Sequence, residues 1–209
     1  MRCKECKDKF IPKAFNQKFC MLKDECVSAC MVSLKEQRKK DWNKHKSERM
    51  PVLYPRKYKG YLNNECQKLA RQIDNHFNFN CIDCDRPFGK QQDGGHFNSK
   101  GKNASLSWNL HNIHSQRSEC NCNGLGGGRE RQYYDGLIKR YGQEYAEYVD
   151  IGLQKEYKYI GLNENEVAEK LAIVRKINRE FDNIVKDLEL NSIDMRSYFN
   201  GLIGIYKNN

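Results

Sequence analysis

The residues best suited to chemistry lie between Cys81 and Asn123, a stretch that holds three of the chain's five histidines. Cys81 and Cys84 stand before these histidines, and Cys120 and Cys122 stand after them. Two close thiol pairs separated by a few tens of residues suit tetrahedral Zn²⁺, because each pair supplies two thiolates and the ion closes the loop between them. The sequence therefore predicts a structural zinc site in this stretch.

A second, polar site is predicted in the same stretch. Its candidate residues carry oxygen and imidazole groups, which suit a hard divalent cation and a general base better than soft thiolates do. They are Asp93, His96, Asn109, His111, Asn112, His114 and Asn121.

Four short segments of this stretch resemble the NinG (Rap) family of phage recombination nucleases, a branch of the HNH or ββα-metal endonucleases. They read CIDC, QDGGHF, SLSWNLHNIHSQ and ECN, in that order along the chain. The resemblance implies a metal-dependent endonuclease that cleaves branched DNA such as Holliday junctions. It also implies a bacteriophage or prophage protein in the cytoplasm of a bacterial host cell.

The resemblance also implies a role for individual polar residues. His96 would be the general base that takes a proton from water, and the resulting hydroxide would attack phosphorus. Asp93 and Asn121, with His114 as a third candidate, would hold a catalytic Mg²⁺ or Mn²⁺ ion that stabilises the leaving 3′ oxygen. Asn112 would orient the turn and the base through hydrogen bonds to the backbone instead of binding metal.

The second cysteine pair departs from the pattern of the family. Arg117 stands where the family has the first thiol of a C-x₂-C pair, and only Cys120 keeps its place. Cys122 could replace the missing ligand, or a three-thiolate site could be completed by another group such as His111 or His114. The predicted ligands of this zinc site are Cys81, Cys84, Cys120 and Cys122.

A separate group of cysteines near the start of the chain predicts a zinc ribbon over residues 1–30. Cys3 and Cys6 form a C-x₂-C pair, and Cys20 and Cys26 supply the second pair. The spacing of the second pair is long for zinc ligands, so Cys30 could replace Cys26. Such a module folds only with its metal, and it would either grip the phosphate backbone or act as a folding nucleus alone.

Positive charge is concentrated in the N-terminal part of the chain. Residues 1–60 hold 17 Lys or Arg against 7 Asp or Glu, whereas residues 61–209 hold 20 of each. This excess favours a polyanionic partner, of which nucleic acid is the commonest, over a solvated basic face without a partner. We therefore expect DNA as the partner.

Composition also bears on the cellular compartment. No apolar run reaches membrane-spanning length, and the first residues lack the apolar stretch of a signal peptide. The expected location is the cytoplasm, where ten cysteines favour metal ligation over disulfides. The modest hydrophobic content of 38% leaves little material for one large core, so metal sites would support the fold.

The predicted fold class is α+β, with a zinc-stapled ββα-metal core, an N-terminal zinc ribbon and flanking helices. After the ribbon, a basic helix and linker are expected over residues 31–60 and an HNH-like nuclease domain over 61–150. A helical region is expected over 151–209.

Periodic apolar positions predict the helices that must position these sites. An amphipathic helix is expected over residues 62–78, and a helical run ends at Gly142. Asn163 and Glu166 form a capping-box signature at the start of a long helix. The apolar stripe of that helix would either cover the core of its own domain or pair with a second copy in a homodimer.

Two alternative functions remain open from the sequence. One is an HNH endonuclease of another substrate class, such as an enzyme that nicks or restricts duplex DNA. The other is a non-catalytic, zinc-dependent protein that binds nucleic acid, which the altered second cysteine pair would favour.

Overall fold

The computed structural model of the chain, which describes residues 1–121 and 129–206, is an α+β fold rich in helix. The chain divides into two compact units, Met1–Leu53 and Tyr54–Asn209. Cys122 lies outside the described residues, so its role as a zinc ligand stays a prediction. In the part of the chain that is described, no helix combines the length and the apolarity needed to cross a bilayer.

Helices supply most of the regular structure, and two strands form a small sheet. In chain order the elements are α1 (Asp24–Leu53), α2 (Pro55–His76), β1 (Gln92–His96), β2 (Ile113–Arg117), α3 (Ser118–Asn121), α4 (Glu130–Tyr141), α5 (Gln143–Glu147), α6 (Leu153–Glu156), α7 (Glu164–Val185) and α8 (Ser192–Ile203). Short 3₁₀ turns at Ala104–Leu106 and Leu110–Asn112 lie between the strands, and a π-helical turn at Tyr148–Gly152 joins α5 to α6. The stretch expected to be a linker is helical on both sides of Tyr54.

The first unit is organised by cysteines, with only a small apolar cluster. The buried residues of this cluster are Cys3, Phe10, Phe19, Cys20 and Cys26. α1 begins with acidic residues, whose charge suits the positive end of the helix dipole, and most of its length is exposed to solvent. The predicted basic helix is therefore present and begins a few residues earlier than expected.

The sheet that carries the polar site consists of β1 and β2 paired antiparallel. Gly95 lies opposite His114, and His96 lies opposite Ile113. Two strands alone are only marginally stable in water, so they need a helix to cover one face. α2 packs against both strands and supplies that cover.

One apolar core holds the second unit together and extends from Leu62 in α2 to Tyr206 after α8. The amphipathic helix predicted over residues 62–78 is present as α2, which begins earlier, at Pro55, ends at His76 and buries its apolar face in this core. The segments expected as separate nuclease and C-terminal regions both contribute side chains to the same core.

The long helix α7 begins as the sequence predicted. Asn163 Oδ1 accepts hydrogen bonds from the backbone N–H groups of Asn165 and Glu166, and the Glu166 carboxylate accepts one from Asn163 N. The apolar stripe of α7 is buried, and the helix packs against α2. The stripe therefore covers the core of its own unit, and the homodimer stays a prediction.

The last helix, α8, is docked by a buried ion pair. Arg196 and Asp74 are both fully buried and form an ion pair. The Arg196 guanidinium also donates to Leu110 O at 2.6 Å and Ile113 O at 2.7 Å, and Asp74 Oδ2 accepts from Ser115 N at 2.6 Å. α8 thus docks on the rest of the second unit and holds the turn before β2 in place.

Candidate metal centres and active-site cleft

Four sulfur atoms of the first unit lie at the separations of a tetrahedral zinc site. Cys3, Cys6, Cys20 and Cys26 Sγ all lie within 4.8 Å of one another, with 3.7 Å between Cys3 and Cys26 and 3.8 Å between Cys6 and Cys20. A tetrahedron with Zn–S bonds of about 2.3 Å has edges of about 3.8 Å, whereas a disulfide bond is only about 2.0 Å long. These residues could hold zinc, and Cys30 is not part of the group.

The second cysteine cluster begins with a turn of the same form. Cys81, Cys84 and Cys120 Sγ lie within 4.8 Å of one another, with 3.7 Å between Cys84 and Cys120. In both C-x₂-C turns the residue after the second cysteine has a left-handed backbone, with φ of 63° at Lys7 and 53° at Asp85. In both turns the N–H of the first cysteine donates to the carbonyl five residues later, at 2.9 and 3.0 Å. This shared turn directs two sulfurs toward one point, as a zinc ligand pair requires.

Arg117 takes the position of the missing thiol without directing its guanidinium at the cluster. Its backbone N–H donates to Cys81 Sγ at 3.3 Å, while its guanidinium binds Glu119 Oε2 at 2.7 Å. His111 and His114, the suggested substitutes, are bound to tyrosine hydroxyls, and neither belongs to a metal-ligand group among the described residues. Within the described chain the second cluster therefore has three thiols.

His96 is held in a defined tautomer at the end of β1. Its Nε2 lies 2.9 Å from Ser107 O. Because a carbonyl oxygen only accepts, Nε2 must donate, and in the neutral ring Nδ1 is left as a proton acceptor. Burial lowers the pKa of His96, the hydrogen bond to Ser107 opposes this, and the charge of Lys100 lowers the pKa further. The ring is therefore mostly neutral near pH 7.

Asp93 of β1 and Asn121 of α3 are joined by a side-chain hydrogen bond. Asn121 Nδ2 donates to Asp93 Oδ2 at 3.1 Å. A Cβ atom added to Gly95 would lie 3.2 Å from Asn121 Oδ1, so this amide oxygen lies beside the backbone just before His96. The sequence prediction that joined these three residues in one site is consistent with their placement, and their catalytic roles stay predictions.

A cleft of about 440 Å³ is lined by His96 and Asn121, and Asp93 reaches it only through its hydrogen bond with Asn121. Positive side chains are prominent among the residues that line it, which include His96, Lys100, Lys102, Gln116, Asn121 and Arg129. Burial lowers the pKa of Lys100, and Lys102 forms an ion pair with Glu130 at 2.5 Å. The cleft therefore holds an imidazole, two side-chain amides and three cationic side chains, one of which is paired with Glu130 of the same lining.

Asn112 and His114 lie in the interior and do not line this cleft. Asn112 Oδ1 accepts from Asn98 N at 2.8 Å and its Nδ2 donates to Asn98 O at 3.0 Å, so the side chain bonds the backbone as expected, and its role in orienting the base stays a prediction. His114 Nδ1 lies 3.0 Å from the Tyr133 hydroxyl, which donates to Gly95 O. Burial lowers the pKa of His114 well below the usual value.

Two polar residues of this region were not singled out from the sequence. Gln116 lines the cleft, and its Nε2 donates to Asp83 Oδ2 at 2.7 Å. Burial raises the pKa of the Asp83 carboxyl, while the hydrogen bond from Gln116 and the charge of Arg129 oppose the rise. Both residues lie within segments that resemble the nuclease family, CIDC and SLSWNLHNIHSQ, but their contact joins residues 33 apart in the chain.

Comparison with known proteins gives one family match. A family model described as Bacteriophage Lambda NinG protein matches residues 1–180 of the chain. None of the curated proteins and none of the solved structures compared with the chain matches it.

Proposed function

The chain belongs to the NinG family, and from this premise we propose that it is a metal-dependent endonuclease that cleaves branched DNA in phage recombination. The family match covers most of the chain and confirms the resemblance found in the sequence. Assignment to the HNH superfamily is part of the proposal. It is supported by an antiparallel β1–β2 pair followed by α3 and α4 around the polar site.

In this proposal His96 is the general base. The Ser107 carbonyl holds Nε2 as a hydrogen-bond donor, so Nδ1 accepts a proton from water. The lowered pKa keeps the ring neutral and able to accept that proton at working pH. The deprotonated water then attacks phosphorus, and the 3′ oxygen leaves.

Asp93 and Asn121 would hold the catalytic Mg²⁺ or Mn²⁺ ion. Their carboxylate and amide oxygens are the hard ligands that these cations prefer. When bound, the ion supplies positive charge to the leaving oxygen and orients the phosphate. His114 is a weaker third candidate because its ring is buried and paired with Tyr133.

The observation that carries the proposal is that His96 and Asn121 line one cleft together with Lys100, Lys102 and Arg129, and that Asn121 is hydrogen-bonded to Asp93. Asn121 follows directly on Cys120 at the end of α3, so zinc at the second cysteine cluster would fix this short helix and hence the amide. The proposed structural cofactor is therefore Zn²⁺ at both cysteine clusters.

Cleavage of a synthetic four-way junction tests the proposal. The zinc-loaded protein is incubated with Mg²⁺ or Mn²⁺ and the junction, matched duplex or single strands. His96→Ala should abolish cleavage and leave junction binding and zinc content unchanged. His76→Ala is the matched control, because this histidine is exposed on α2 and does not line the cleft, and it should cleave normally.

Each alternative function has its own result in this assay. Equal cutting of junction and duplex would assign the protein to another substrate class of HNH endonuclease. Tight junction binding with no cleavage by either protein, at any divalent metal concentration, would overturn the nuclease proposal in favour of a zinc-dependent nucleic-acid-binding protein.

A further inference from the structure

The side-chain amide of Gln116 lies over Gly95, beside the residues of the proposed catalytic site. Gln116 belongs to β2 and is nearly buried, yet it lines the cleft. A Cβ atom at Gly95 would lie only 1.3 Å from Gln116 Oε1. Any other residue at position 95 would therefore displace this amide, so glycine is required for Gln116 to reach the cleft.

The hydrogen bond to Asp83 fixes the orientation of the Gln116 side-chain amide. Gln116 Nε2 donates to Asp83 Oδ2 at 2.7 Å. Because a carboxylate accepts hydrogen bonds, the amide nitrogen must face Asp83 and Oε1 must point toward Gly95. Within the described residues no donor contacts Oε1. The amide oxygen is thus oriented in advance and has acceptor capacity to spare.

Asn121 presents a second amide oxygen in the same way. Its Nδ2 donates to the Asp93 carboxylate, which leaves Oδ1 at 3.2 Å from the Cβ position of Gly95. Since Gln116 Oε1 is close to that same point, the two amide oxygens lie within a few ångströms of each other. Two carboxylate–amide pairs therefore direct their amide oxygens toward one place beside Gly95.

We propose that Gln116 supplies a third oxygen ligand to the catalytic divalent cation, with Asp83 as the positioning residue behind it. This inference rests on the proposed function, because it adds a ligand to the Asp93–Asn121 site. Mg²⁺ and Mn²⁺ accept amide oxygens, and Mg²⁺ in particular keeps several waters in a near-octahedral shell. Three protein oxygens would leave positions for water and a phosphate oxygen.

Mn²⁺ binding to the zinc-loaded protein without DNA tests the proposal, measured by calorimetry and by the electron paramagnetic resonance signal of free Mn²⁺. Gln116→Leu should weaken Mn²⁺ binding by about 100-fold, and Asp83→Ala by about 10-fold, the range known for groups that orient a ligand. Gln92→Leu is the matched control. Gln92 lies on β1 but bonds Asn75 and Ser115 outside the cleft, so Mn²⁺ affinity should not change.

A charge-matched double variant separates ligation from folding. Asp83→Asn combined with Gln116→Glu reverses the hydrogen bond, because the new amide can donate to one oxygen of the new carboxylate. The other carboxylate oxygen then takes the place of Oε1, and the pair keeps the same total charge. If Gln116 is a ligand, this variant binds Mn²⁺ at least as tightly as the native protein, even if Gln116→Leu fails to fold.

Native Mn²⁺ affinity in folded Gln116→Leu would overturn the ligand role, as would a folded double variant with weakened Mn²⁺ binding. Asp93→Asn distinguishes this failure from failure of the proposed function. If Asp93→Asn weakens Mn²⁺ binding while Gln116→Leu does not, the two-residue metal site survives without Gln116. If Asp93→Asn also binds Mn²⁺ normally, the metal site of the proposed function is itself wrong.

Discussion

Gly136→Ala tests the packing of α4 on the second cysteine cluster. Gly136 lies where α4 approaches the C-x₂-C turn, and a Cβ atom there would lie 1.8 Å from Ile82 O and 2.8 Å from Ile82 C. Both are backbone atoms, so no side-chain rotation relieves the clash. Ile82 N also donates to Ser115 O at 3.0 Å, which ties the turn to β2.

The expected change combines two opposed effects. In an exposed helix, Gly→Ala raises the free energy of unfolding by up to about 1 kcal/mol, because alanine loses less backbone entropy on folding. Overpacking typically costs about 1–3 kcal/mol, and here the backbone of a metal-binding turn must move. We therefore expect Gly136→Ala to lower the free energy of unfolding by about 2 kcal/mol and to weaken zinc retention by the second cluster.

Urea unfolding of the zinc-loaded protein, followed by circular dichroism, measures this change, and a colorimetric chelator measures zinc release. Gly201→Ala is the matched control because Gly201 lies in α8 with no atom within 4 Å of its Cβ position. It should raise the free energy of unfolding by about 0.5–1 kcal/mol. If Gly136→Ala stabilises the protein as much as Gly201→Ala does, the described packing of α4 on the turn is wrong.

Three other predictions follow from the buried groups and the cysteines. Arg196→Met should lower the free energy of unfolding by about 3 kcal/mol in urea titrations, because it leaves the buried Asp74 charge with only the more distant Arg140, at 4.0 Å, as an ion-pair partner; a loss below about 1 kcal/mol would contradict this. Burial lowers the pKa of His111 from 6.5 to about 3, so the unfolded chain takes up a proton at this site that the native chain does not. Native stability should then fall as pH drops below 6.5, and thermal melts of His111→Gln should show a shallower fall. Cys26→Ser should lower the zinc content measured by atomic absorption by about one ion per chain, whereas Cys30→Ser should leave it unchanged.

Local features of the fold could be predicted because their causes are local. The C-x₂-C turns depend on backbone bonds within a few residues, and the capping box of α7 joins Asn163 only to its near neighbours. The apolar faces of α2 and α7 follow from helical period alone. The elements that pack against these two faces could not be predicted, because the apolar positions of one helix do not specify which other surface covers them.

The candidate site was predicted in part. The sequence placed Asp93, His96 and Asn121 in one polar site; in the structure Asn121 bonds Asp93 and shares a cleft with His96, and the catalytic roles of all three stay predictions. It could not show that His114, two residues from Asn112, is buried under a tyrosine hydroxyl and kept from the cleft. That outcome depends on Tyr133 of α4, which reaches the sheet only through tertiary packing.

The sequence by itself determined the chemistry that is available: thiol pairs spaced for zinc, hard ligands beside a histidine, and helices with one apolar face. Only the tertiary structure decided which groups meet. It selected Cys26 over Cys30 for the first cluster, docked α8 through Arg196, and paired Gln116 with Asp83. Each of these outcomes joins residues distant in the chain, and their geometry is set by the packing of whole elements, which local spacing and period do not specify.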